Sequence, residues 1–203
     1  MKLIKIGSDA FVLETTSHTA LLTSSRLVLV DTATDPTAKN LISEIKACGY
    51  HEKDIANIII THYHRDHTGG LERMKEITMA QIACHELETK RIKQDTGVKI
   101  DHQLKTQQVY QGLLVIHTPG HTKGHIALLD QETGLLVAGD SFMTNEGEIA
   151  PMPDQYNENP KLHRISMKKL LDYQFSKVIV AHGHALHTSG YALLKTAVDK
   201  IEY

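Results

Sequence analysis

The sequence predicts an α/β sandwich in which two β-sheets pack face to face and helices cover both outer faces. Three observations carry this expectation. Short apolar segments bounded by Gly, Ser, Asp and Thr crowd the first 31 residues and recur between 106 and 138. Each half of the chain then closes on a strand followed by an amphipathic helix, a pattern buried best by sheets faced with helices. No Gly/Ser spacer or low-complexity run interrupts the 203 residues, so the expected organisation is a single domain, 1–203, built from two similar halves.

The strands of the first half are expected at LIKI (3–6), AFVLE (10–14), TALLT (19–23), LVLVD (27–31) and the β-branched run at 57–60. A helix over 36–48 is expected from Pro36 in its first turn, Leu41, Ile42, Ile45 and Cys48 at helical spacing, and Gly49 at its end. A helix over 70–76, a strand at 80–84 and a helix over 85–93 follow. In the second half, strands are expected at 106–111, 113–117, 125–130, 134–138 and 177–181. Helices are expected over 160–172 and 189–201, the last with Leu193, Leu194, Ala197, Val198 and Ile201 inward. The longest irregular piece, 141–160, is of a length that in a compact domain usually serves function.

Composition excludes several classes. Hydrophobic residues at 41% and charged residues at 23% suit a globular protein with a sizeable core. A net charge of −2 without a like-charge block argues against a nucleic-acid or membrane-surface partner. No apolar run approaches the roughly 18 residues of a membrane span. The opening MKLIKIGSDAF lacks the apolar core and cleavage site of a signal peptide, so a cytoplasmic location is expected. The two cysteines, Cys48 and Cys84, are expected as unpaired, buried thiols.

Histidine, at 14 residues, is the unusual entry in this composition, and it clusters. THYHRDHTGG (61–70) follows the strand at 57–60 directly. Along extended chain His62 and His64 point the same way and can clamp one metal ion. Asp66 and His67 come where the chain turns, facing a second direction, and Gly69 and Gly70 permit close backbone passage. Further ligands stand just past other apolar strands: His121 in HTPGHTKGH, Asp140 in LLVAGD and His182 in KVIVAHGH. Strand ends are where α/β sheets present their sites. Imidazole with carboxylate and no thiolate suits catalytic zinc rather than a structural site. His117 and His125, flanking the TPGHTKG turn, are read as structural or as supports for the ligands. His184 and His187 are read as surface or structural, and His18, His51, His85, His102 and His163 as solvated or packing residues.

THYHRDHTGG matches the HxHxDH signature of the metallo-β-lactamase superfamily, and TPGHTKGH, AGD and AHGH resemble its later motifs in order. The resemblance spans essentially the whole chain. It implies an αββα four-layer sandwich, the metallo-β-lactamase fold, and two divalent metal ions, zinc first, with iron or manganese as other candidates. It implies one ion on His62, His64 and His121, a second on Asp66, His67 and His182, and Asp140 bridging them. His67 and Asp140 resemble the glyoxalase II type and related hydrolases. Cys48 and Cys84 lie outside the motifs, unlike the cysteine ligand of some β-lactamases. The flavodiiron branch carries glutamate where this chain has His64, and neither the RNA-gripping arm of RNase Z-like nucleases nor a basic run is found.

What the resemblance implies chemically is a hydrolase in which a metal-bridging hydroxide attacks the carbonyl of a small thioester, ester or lactone, with Asp66 orienting it and managing its proton. The chain ends before the place of the C-terminal extension with which glyoxalase II holds glutathione. The 141–160 segment carries Glu146, Glu148, Asp154 and Glu158 without Lys or Arg, which favours a fairly neutral acyl group unless Lys161 or Lys123 compensates. Its Phe142, Met143, Met152 and Tyr156 suggest an apolar wall. An iron-dependent persulfide dioxygenase and a non-catalytic metal-binding module are the alternatives of other classes. The oligomeric state is not legible in the sequence.

Overall fold

The β-branched and leucine-rich segments of the first half form the seven strands of one sheet. The structure, a computed structural model, describes residues 4–6, 10–13, 15, 17–23 and 27–201, apart from the side chains of 186 and 187. Leu3 and Glu14, expected at strand ends, lie outside the described residues, as does the side chain of His187. The chain divides into two compact units, Met1–Leu104 and Lys105–Tyr203.

In the first unit β1 (Ile4–Ile6), β2 (Ala10–Leu13), β3 (Thr19–Leu22) and β4 (Val28–Val30) form an antiparallel meander. From β4 onward the sheet is parallel, through β5 (Asn57–Ile60), β6 (Gln81–His85) and β7 (His102–Leu104). Parallel neighbours require crossovers. These are α1 (Lys39–Ala47), then the short α2 (Arg65–Thr68) with α3 (Leu71–Thr78), then α4 (Thr89–Thr96). Leu41 and Ile45 of α1, Leu71 and Met74 of α3 and Ile92 of α4 join Leu13, Leu21, Leu29, Ile58 and Ile60 in one buried cluster. All four residues of β5 are buried, as expected for a central parallel strand.

The starts of α1 and α4 differ from expectation for local reasons, and β7 was not expected. Helix α1 begins at Lys39, not Pro36, because Ala38 is left-handed (φ 51) and the Asp35 carboxylate ties down the Thr37 and Lys39 amides as a turn. Helix α4 begins at Thr89 because β6 runs on to His85, and a turn closed by the Glu88 amide on the His85 carbonyl precedes the helix.

The second unit repeats the scheme. Strands β8 (Val109–Tyr110), β9 (Leu113–His117), β10 (Ile126–Asp130) and β11 (Leu135–Val137) pair antiparallel in sequence. The piece expected to be irregular instead contains the hairpin β12 (Met143–Asn145) and β13 (Glu148–Ala150). Helix α5 (Pro160–Lys169) then crosses over to β14 (Lys177–Ile179), which lies parallel to β11. Strand β15 (Leu186–His187) and α6 (Gly190–Asp199) complete the unit. The start of α5 is set by sequence, since Asn159 Oδ1 accepts the Leu162 amide proton and Pro160 opens the first turn. Met167, Leu170, Leu194, Ala197 and Val198 pack with Leu136, Phe142, Val178 and Val180 in this unit's core. Phe142 and Met152 are therefore buried anchors; among the residues read as an apolar wall, Tyr156 alone is well exposed and Met143 half-buried. Both cysteines are free, Cys84 buried and Cys48 half-buried. No helix among the described residues is long and apolar enough to cross a membrane.

Candidate metal centre

In the first unit the ligand candidates sit on the turn that leaves β5. His62 Nε2 and His64 Nδ1 lie 3.0 Å apart, converging as the spacing of two predicts, although the backbone there is already turning and His64 caps α2. Helix α2 carries Asp66 and His67 in its first turn, with Asp66 Oδ2 3.4 Å from His67 Nε2. The two glycines that follow are obligatory. A Cβ on Gly69 would stand 2.2 Å from the Thr34 carbonyl oxygen, and one on Gly70 2.6 Å from that of Thr32.

One buried carboxylate outside the sequence motifs orients this set. Asp31, at the end of β4 and in the left-handed region (φ 64), is 2% exposed. Its Oδ1 accepts the Thr61 amide at 2.8 Å, and its Oδ2 accepts both the Thr61 hydroxyl and His67 Nδ1 at 2.8 Å each. The hydroxyl proton being spent on Asp31, Thr61 Oγ1 is left to accept from His62 Nδ1 at 3.1 Å. Both rings are thereby protonated at Nδ1 and offer the Nε2 lone pair, the arrangement metal-bound histidines usually adopt. A second buried carboxylate, Glu88, accepts the Tyr63 amide at 2.9 Å and pins the residue between His62 and His64.

In the second unit His121 Nε2 and His182 Nε2 approach the same oxygen, Asp140 Oδ2, at 3.1 and 3.5 Å. The carboxylate is thus shared between two imidazoles. Asp140 stands in a buried helical turn after β11, and its amide donates to His125 Nε2 at 2.9 Å. His125 is fully buried with Nδ1 2.8 Å from Thr118 Oγ1, so both its ring nitrogens are engaged and it props the Asp140 backbone. His117 braces the turn between β9 and β10 through the Lys123 carbonyl at 2.9 Å. His121 Nδ1 is held by Asn157 Oδ1 at 3.0 Å. His163, 1% exposed beside His121, packs rather than solvates, and its Nε2 accepts the Met152 amide at 3.3 Å. Burial chiefly, with the neighbouring His121, pushes its pKa down to about 4. After His182, Gly183 (φ 89) passes so close to β12 that a Cβ would meet the Thr144 carbonyl at 2.0 Å.

Within each unit the donors are imidazole and carboxylate without thiolate, His62, His64, Asp66 and His67 in the first and His121, Asp140 and His182 in the second, a chemistry that fits first-row divalent ions, zinc among them. The acidic 141–160 segment is less negative than its sequence suggests. Asp154 pairs with Arg164 at 2.6 Å and Glu148 with Lys200 at 2.9 Å.

A family model described as the metallo-beta-lactamase superfamily matches residues 14–184. The chain is 27% identical to a Beta-lactamase-like protein 2 homolog of Drosophila melanogaster, over 100% of this chain and 68% of that protein. It is 33% identical to a hydroxyacylglutathione hydrolase of a Marinomonas species over 54% of this chain, spanning 41% of that relative's length. Among solved structures, a class B3 di-zinc metallo-β-lactamase from an Alaskan soil metagenome superposes with a TM-score of 0.78 at 18% identity, covering 98% of this chain and 91% of that one. The chain therefore belongs to the metallo-β-lactamase superfamily, a superfamily mostly of hydrolases, and has glyoxalase II-like relatives within it. Its fold is the superfamily's αββα class, as the sequence predicted.

Proposed function

We propose that the chain is a dinuclear metal-dependent hydrolase that cleaves a thioester, ester or lactone of a small molecule, its two units acting as one domain. In this reading His62, His64 and His121 hold one ion, Asp66, His67 and His182 hold the other, and Asp140 serves both. The observation that carries it is the fixing of ring nitrogens within each unit. Asp31 and Thr61 set His62 and His67, and Asn157 sets His121, each through the nitrogen opposite the one offered. A merely solvated histidine cluster has no need of such buried partners.

When bound, the two ions, zinc in this proposal, would supply Lewis acidity and a water whose pKa is lowered toward about 7. The residues do the rest. Asp66, with 34% of its side chain exposed against none for His67, is the ligand carboxylate best placed to take a proton and pass it to solvent. The buried imidazoles stay in one tautomer and one rotamer, so little reorganisation is left for the reaction. Glu146 and Glu158, exposed on the 141–160 segment, favour an acyl group of little negative charge.

The test is protein prepared without added metal, then loaded separately with zinc, iron or manganese and assayed on S-lactoylglutathione, short acyl thioesters, esters and lactones. Two equivalents of metal and turnover of an ester-type substrate, abolished by chelation, are expected. Loaded protein inert across the panel would leave a binding module instead. A single iron with oxygen uptake on a persulfide would make it an oxygenase.

A further inference from the structure

The sequence motifs end at the ligands, but the structure ties one of them to a residue 36 positions away. Asn157 closes the short helical turn Asp154–Tyr156 in the acidic segment. Its amide nitrogen donates to two backbone carbonyls, Met152 at 3.0 Å and Pro153 at 3.3 Å. Carbonyls only accept, so the side-chain amide has one admissible orientation, with Oδ1 toward His121 Nδ1 at 3.0 Å. An amide oxygen cannot donate, hence His121 must carry its proton on Nδ1 and offer Nε2. The backbone closes the same grip. The Glu158 amide donates to the His121 carbonyl at 3.1 Å, and the Asn159 amide to that of Gly120 at 2.8 Å.

The structure assigns Asn157 as a positioning residue that fixes the tautomer and ring plane of His121. The inference rests on His121 being a metal ligand. It also gives the 141–160 segment a task distinct from contact with substrate. The hydrogen bond to Nδ1 removes the competing tautomer, in which Nε2 would be protonated and unable to bind metal.

Two variants separate this role from a scaffolding one. Asn157→Ala removes both the acceptor toward His121 and the donor toward 152 and 153. Asn157→Asp keeps an acceptor toward His121, now charged, and loses the donor. Zinc affinity of the full chain is measured by chelator competition, alongside thermal unfolding of the metal-free proteins. The His121 Nδ1 proton is followed by NMR in the zinc-loaded form. Asn157→Ala is expected to lower affinity for one zinc equivalent roughly 10–100-fold and to expose that proton to rapid exchange. Asn157→Asp is expected to lose stability when metal-free yet to hold zinc within about threefold of the unaltered chain and to keep the proton protected. Equal zinc affinity in Asn157→Ala and the unaltered chain, or equal loss in both variants, overturns the assignment. Failure of the unaltered chain to bind zinc at all sinks the metal reading and this inference together, whereas zinc binding without hydrolysis counts only against the proposed reaction.

Discussion

Replacing Asp31 by Asn tests whether one buried carboxylate sets the two histidines it reaches. Asn is nearly isosteric and tolerates the left-handed backbone at this position (φ 64), so strain is not introduced. Its oxygen can keep the Thr61 amide bond, but an NH2 group then faces Thr61 Oγ1 and His67 Nδ1, both 2.8 Å from Oδ2 in the native chain. The hydroxyl can rotate to accept. The imidazole can respond only by moving its proton to Nε2, the nitrogen needed for metal. The loss of metal affinity at His67 should therefore be roughly 10–100-fold, about 1.4–2.7 kcal/mol. Stability of the metal-free fold should change much less. Two charge-assisted bonds weaken, at about 1.5–3 kcal/mol each, but the cost of burying a charge, several kcal/mol, disappears with them. Zinc titration against a chromophoric chelator, paired with urea unfolding of metal-free protein, reads both quantities. Two zinc equivalents bound with native affinity by Asp31→Asn would refute the relay from Asp31 to His67.

Asp66→Ala should cut kcat on any substrate found by 100-fold or more, given the roughly 10²–10⁴ contribution of a positioned proton acceptor, while leaving the circular dichroism spectrum unchanged; full activity with both metals retained would remove Asp66 from the mechanism. Gly183→Ala and Gly147→Ala form a matched pair at nearly the same φ, 89 and 86, but the first Cβ meets the Thr144 carbonyl at 2.0 Å and the second meets nothing within 4 Å. Urea unfolding should show about 1 kcal/mol lost at 147 and several at 183, and equal losses would contradict the tight packing of the His182 turn. Burial pushes the Cys84 thiol up to about 12. A thiol kept neutral by the fold gives stability that is complete below the unfolded pKa and lost as pH rises toward the folded one. Unfolding free energy should thus fall between about pH 9 and 12, by up to about 1.4 kcal/mol per unit, and Cys84→Ala should flatten that slope.

Much of the fold was legible because its strands are short apolar blocks punctuated by turn residues. The ends of β5, β9, β11 and β14 could be found without structure, and with them the seven candidate ligands. Asp31 obeyed the same strand-end rule in LVLVD and was passed over because a lone Asp carries no spacing signal. Asn157 had no signal at all, since its partner stands 36 residues away and asparagine in a loop is ordinary. The hairpin β12–β13 was hidden because Glu146 and Gly147, both with positive φ, form its turn from a Glu-Gly pair rather than the more familiar Asn-Gly. The charge of the 141–160 segment was overstated for a physical reason. The partners of Asp154 and Glu148, Arg164 and Lys200, lie 10 and 52 residues further on.

That hairpin is fastened to the strand-end turn beyond it through Thr144. Thr144 gives its amide to the His182 carbonyl at 3.1 Å and its hydroxyl to that of His184 at 3.1 Å, and takes the His184 amide at 2.6 Å. The exposed tip at Glu146 and Gly147 thus begins two residues from a threonine bonded to the backbone of His182. A fluorophore carried on Glu146 would therefore sit outside the proposed ligands but on the segment bonded to one of them, and a change in its emission on adding zinc would report uptake at the proposed site without any substrate.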